Sequence, residues 1–132
     1  MIYMKGKDAL AYVLYNVGCI HPFILSRIIA LAELSYLKDN KKRLTDLKYS
    51  GVRGAFYIEN LNEIIDKDNC FKRHEGDPVK KIMGCIEYVC DLKNLDENIK
   101  YLDDSIEKAY DLTENELNEM VIKDEHYKEL IS

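Results

Sequence analysis

The chain has 132 residues, 47% of them hydrophobic and 33% charged, which is material for one folded domain and excludes a disordered tract, a collagen-like repeat and a disulfide miniprotein. Its net charge of −5 is unevenly spread: residues 1–90 carry 14 Lys/Arg against 11 Asp/Glu, and residues 91–132 carry 5 against 13. An acidic chain is not a general nucleic-acid coat, which works by neutralising phosphates, and the one basic stretch is Lys38, Lys41, Lys42, Arg43, Lys48 and Arg53 against Asp39 and Asp46.

Asp8 precedes an apolar set at Leu10, Val13, Leu14 and Val17, the spacing of one helix face, and Gly18 is its stop. Pro22 suits a first helical turn and opens a second helix to about Leu37. That helix is apolar nearly all round and is expected at the centre of the fold, with Arg27 and Glu33 on a narrow exposed edge. Gly18, His21 and Pro22 interrupt the uncharged run from Ala9 to Ser26, so neither a signal peptide nor a spanning helix is expected.

Leu44 to Tyr49 alternates apolar and polar, the pattern of a short strand, and Gly51 and Gly54 punctuate a turn. A third helix is expected with Tyr57, Leu61, Ile64 and Ile65 on its face. Cys70–His74 and Val79–Cys90 flank the turn signal Glu75-Gly76-Asp77-Pro78 and predict a β-hairpin; helical spacing at Ile82, Cys85, Ile86 and Val89 leaves a helix open for the second arm. Leu95–Tyr110 is a fourth helix. Thr113 to Glu116 is a capping box opening a fifth, and Tyr127, Leu130 and Ile131 form a last helical turn. The expected architecture is a single α+β domain over residues 1–132, mainly α-helical, with about five helices, a short strand and a β-hairpin, winged-helix-like in outline.

Chemistry is sparse. Cys19, Cys70, Cys85 and Cys90 come without a secretory segment and are expected as reduced thiols of a cytoplasmic chain. Cys70-x₃-His74 and Cys85-x₄-Cys90 lack the tight pair spacing of structural zinc sites, so no metal is expected. His21, His74 and His126 accompany no nucleophile motif, and His21 before Pro22 fits a helix-entry role. Gly51-x-x-Gly54 lacks the context of a phosphate loop, and Asp103-Asp104 fits a solvated helix face. No catalytic residue and no cofactor is expected. Lys and Glu enrichment without Gln is a thermophile-like composition, and nine Asn residues argue the other way.

The segments Ile28–Glu33, Leu47–Gly51 and Phe56–Glu59, with the tail segments Leu102–Tyr110, Asp111-Leu112-Thr113, Glu116-Leu117 and His126-Tyr127-Lys128, make the chain similar to the Panacea family, the SocA-like antitoxin domains. The resemblance covers nearly the whole chain; Val52 follows Gly51 where the family has Pro. It implies a non-enzymatic protein-interaction module, antitoxin-like or an adaptor, that meets a protein partner at the turn from Lys48 to Arg53. The expected partner-binding residues are Lys41, Lys42, Arg43, Lys48, Tyr49 and Arg53. The alternative is a winged-helix DNA-binding transcription regulator, with the helix from Pro22 as recognition helix and Lys72, Arg73, Lys80 and Lys81 on phosphate. The apolar character of that helix opposes it, because a recognition helix must offer polar side chains to base edges.

Overall fold

The computed structural model describes residues 3–131. The chain is a mainly helical α+β protein. Helices α1 (Gly6–Val17) and α2 (Pro22–Asn40) lead into two short strands, β1 (Tyr49–Ser50) and β2 (Tyr57–Ile58), separated by a single 3-10 turn at Arg53–Ala55. Then come α3 (Leu61–Asp66), the hairpin strands β3 (Phe71–His74) and β4 (Cys85–Tyr88), and helices α4 (Ile99–Tyr110), α5 (Glu114–Ile122) and α6 (Tyr127–Ile131). Both sheets are two-stranded and antiparallel, β1 with β2 and β3 with β4.

Helix α2 organises everything else. Pro22 occupies its first turn, the His21 ring accepts a hydrogen bond from the Phe23 N–H (3.1 Å), and Lys41 closes the far end in the left-handed region at φ 60°. The imidazole therefore satisfies one of the amide donors that a helix start leaves free. Against α2 pack α1, α4, α5 and α6, burying Leu25, Ile28, Ile29, Ala30, Leu31, Ala32 and Leu34 in one continuous apolar cluster. Ser105 of α4 donates to the Ile28 carbonyl and binds the two helices by a polar link as well. The capping box of α5 is present in full, Thr113 and Glu116 each accepting from the other's backbone N–H.

Five expectations are corrected. Arg27 and Glu33 are not on an exposed edge; they are 2% and 0% exposed. The alternating run Leu44–Tyr49 is not a strand over its length, because the amides of Leu44 and Thr45 turn to the Glu33 carboxylate and pairing begins at Tyr49. Tyr57 belongs to β2 and is exposed, so α3 starts only at Leu61, and α4 starts at Ile99 because Leu95 stays exposed outside it. Finally, the cysteines are not free thiols. Cys19 is bonded to Cys85 and Cys70 to Cys90, with Cα atoms 5.4 and 5.3 Å apart, separations a disulfide spans without backbone movement.

The second arm of the hairpin is a strand, and the linker between α1 and α2 joins it. Ile20 and Ile86 exchange backbone hydrogen bonds at 3.1 and 2.8 Å. This pairing brings Cys19 alongside β4. Among the described residues no helix is long and apolar enough to cross a membrane.

Candidate interaction surface

The segment from Lys41 to Ile58 wraps one end of α2 and is fixed from beneath by two charged side chains of that helix. The first is Glu33. Its carboxylate accepts from Arg43 Nε (3.1 Å) and Nη2 (2.5 Å), the amides of Leu44 (2.9 Å) and Thr45 (3.1 Å), and the hydroxyls of Thr45 (2.7 Å) and Tyr49 (3.2 Å). A buried carboxylate is tolerable only with its acceptor sites filled in this way. Burial works against the Arg43 charge, yet its hydrogen bonds to Glu33 and the carboxylate's charge raise its pKa above the ordinary value. The Tyr49 hydroxyl is pushed well above its usual value by burial, and by Glu33 next to it.

The second anchor is Arg27. Nη2 donates to the Gly54 carbonyl (2.6 Å), Nη1 to the Phe56 carbonyl and the Ser26 hydroxyl (both 2.8 Å), and Nε to Asn118 of α5 (2.9 Å). The guanidinium also lies 3.9 Å from the ring centroids of Phe23 and Phe56. Burial lowers its pKa to about 10, which leaves it charged at neutral pH. Gly51 completes the turn at φ 109°, where a Cβ would meet the Ala55 carbonyl oxygen at 2.7 Å. Only glycine fits that combination of left-handed backbone and close approach.

Above these anchors the β1–β2 turn exposes Lys48, Val52 (74% exposed) and Tyr57 (54% exposed). Beside it a cleft of about 400 Å³ is lined by Arg43, Lys48, Tyr49, Ser50, Glu59, Leu130 and Ile131. Arg43, Lys48 and Tyr49, expected together on the basic run, therefore share one cleft, whereas Lys41 and Lys42 stand exposed at the C-terminal cap of α2. Arg43 and Tyr49 are bound inward to Glu33 rather than offered outward. The backbone of Arg53 opens the 3-10 turn; its side chain lies outside the described residues. Arg27, Glu33, Val52, Tyr57 and the α6 residues Leu130 and Ile131 were not among the expected site residues. The available signal was the pair of charges on an otherwise apolar helix.

The alternative nucleic-acid residues Lys72, Arg73, Lys80 and Lys81 are all exposed on the β3–β4 hairpin. Arg73 is drawn to α3 through Asn62 (2.9 Å) and Asp66 (3.7 Å), and Lys81 sits at the tip at φ 57°. The buried middle of α2 offers no polar side chain to a DNA groove, since Arg27 is enclosed by Phe56, Gly54 and Asn118 and Glu33 by its own partners; its exposed polar residues, Lys38, Asp39 and Asn40, are confined to the last turn. The chain matches no protein-family model, no curated protein and no solved structure.

Proposed function

We propose that this chain is a non-enzymatic protein-interaction module, antitoxin-like or an adaptor in the manner its resemblance to the Panacea family implies, and that it binds a protein partner through the β1–β2 turn and the adjoining cleft. One observation carries the reading: the turn shows Val52 and Tyr57 to solvent beside Lys48 while buried Arg27 and Glu33 hold its backbone still. A loop kept in one conformation loses little entropy on association, and exposed apolar and aromatic groups ringed by polar ones are what a partner's surface covers. The reading keeps the chain in the cytoplasm. With two disulfides, that requires the kind of cytosol in which hyperthermophile proteins retain such bonds.

The test is affinity capture from lysate of the source cell with nuclease present, comparing the wild-type chain with Lys48→Glu and Val52→Asp. A stoichiometric protein held by the wild type and lost from both variants is the expected result. The capture is repeated without nuclease: retention of nucleic acid alone in that arm, lost on adding nuclease and lost from Lys80→Glu/Lys81→Glu, would overturn it in favour of the DNA-binding regulator.

A further inference from the structure

The ligand-type residues that looked scattered in the sequence are sorted by the fold into two places. Cys70 and Cys90 close one disulfide at the base of the hairpin. On the hairpin's outer face, a ring nitrogen of His74, a carboxylate oxygen of Glu87 and the Cys19 sulfur lie within 4.8 Å of one another. Cys19 is bonded to Cys85, and Cys85 is the direct cross-strand neighbour of His74. His74 Nε2 and the Glu87 carboxylate are already 2.8 Å apart. Two sulfurs, an imidazole and a carboxylate thus converge at one exposed point of the molecule.

We propose that Cys19, Cys85, His74 and Glu87 form a zinc site that opens when the Cys19–Cys85 disulfide is reduced. Two thiolates and an imidazole are the donors that select zinc over hard cations such as magnesium or calcium. With metal–ligand bonds of about 2.0–2.3 Å, the edges of a tetrahedral site are roughly 3.3–3.8 Å, so Cys19, His74 and Glu87, within 4.8 Å of one another, need only a small contraction, and Cys85, bonded to Cys19, must swing in as the fourth ligand once the bond opens. The disulfide occupies both sulfurs as long as it is intact. A dithiol reductant supplies the two electrons that cleave the S–S bond and its two thiol protons, leaving as a disulfide; a phosphine supplies the electrons while one water gives the two protons to the sulfurs and its oxygen to the phosphine oxide. Zinc binding then returns the two thiol protons to solvent, with His74 neutral and Glu87 ionised.

The ligands stay together after cleavage because backbone pairing, not the S–S bond alone, holds them. The Ile20–Ile86 pair fixes Cys19 against β4, and the register His74↔Cys85 fixes the other side. Cys19 and His74 are both exposed, which gives reductant and ion access.

Zinc content is measured by equilibrium dialysis of oxidised protein and of protein reduced anaerobically with a phosphine, and cobalt substitution reads thiolate ligation from its charge-transfer absorption. The Cys70→Ser/Cys90→Ser variant isolates this site from the other pair of thiols, and His74→Ala in the otherwise wild-type chain provides the same comparison should that variant not fold. One zinc per chain is expected in the reduced form and none in the oxidised form. His74→Ala should weaken binding at least about 100-fold, the upper end of what loss of a mere outer-shell partner costs. Absence of zinc from the reduced chain, equal binding by the oxidised chain, or affinity unmoved by His74→Ala would each overturn the proposal.

Discussion

Arg27 donates to the Phe56 carbonyl at 2.8 Å while its guanidinium lies 3.9 Å from the ring of that same residue. Backbone and side chain of Phe56 are thus both held by one cation that the apolar helix α2 carries into the core. Arg27→Met should cost roughly 3 kcal/mol, since it strands the buried Phe56 carbonyl and the part-buried Gly54 carbonyl and removes desolvated cation–π contacts. Arg27→Lys should recover only part of this, because one ammonium cannot reach Gly54, Phe56 and Asn118 at once. Urea denaturation measures the cost, and faster amide exchange at Ala55, whose N–H donates to Val52, localises it to the turn.

Glu33 receives six hydrogen bonds from four residues, whereas Arg43 keeps a quarter of its side chain in solvent. Removing the carboxylate is therefore expected to cost more than removing its cation. Glu33→Ala should destabilise by about 3–5 kcal/mol and Arg43→Ala by less, and a double-mutant cycle gives the coupling between them. The reverse ranking would show that Thr45 and Tyr49 do not share the load.

Alkaline pH should find the same network. Tyr49 is neutral in the fold with its pKa well above 10, and Tyr12, partly buried and bonded to Asp103, is pushed up to about 12. An unfolded tyrosine ionises near 10. Above that pH the folded state holds more protons than the unfolded one, so stability is whole below about pH 10 and falls as pH climbs toward the folded values. Denaturant midpoints measured across this window should drop, and Tyr49→Phe should make the fall shallower. Equal slopes in the two proteins would remove Tyr49 as the cause.

The disulfides close loops of unequal length, with sequence separations of 66 for Cys19–Cys85 and 20 for Cys70–Cys90. In the loop-entropy picture they contribute about 4 and 3 kcal/mol. Cys19→Ser/Cys85→Ser should therefore lower the melting temperature further than Cys70→Ser/Cys90→Ser. Calorimetry of both double variants in the absence of metal checks the order.

Local signals were legible wherever the partners lie close in sequence. Pro22 after His21 and the Thr113–Glu116 capping box each describe a few consecutive residues and each is present in the fold, whereas the turn signalled at Glu75–Pro78 falls later, at residues 78–81 between the paired Asp77 and Ile82. The apolar circumference of α2 likewise announced its central place. What failed was long-range polar pairing. Glu33 looked solvated because its partners begin ten residues on, and Leu44–Tyr49 looked like a strand because nothing in that run shows that two of its amides belong to a carboxylate on a neighbouring helix. The disulfides were hidden for a related reason: four cysteines allow three pairings, and the pairing adopted depends on a linker joining a sheet edge. Of the candidate surface, the basic run was readable, but not that Arg43 and Tyr49 face inward and leave Val52 and Tyr57 outside.

Because α2 gives its circumference to other parts of the chain, the cost of a substitution divides this protein into two compartments. Substitutions along α2 disturb α1, α4, α5 and the Lys41–Ile58 segment together, and are constrained accordingly. Lys48, Val52, Tyr57 and the hairpin tip around Val79 and Met83 touch little of that interior. Side chains at these outward positions can therefore change while the scaffold beneath stays the same.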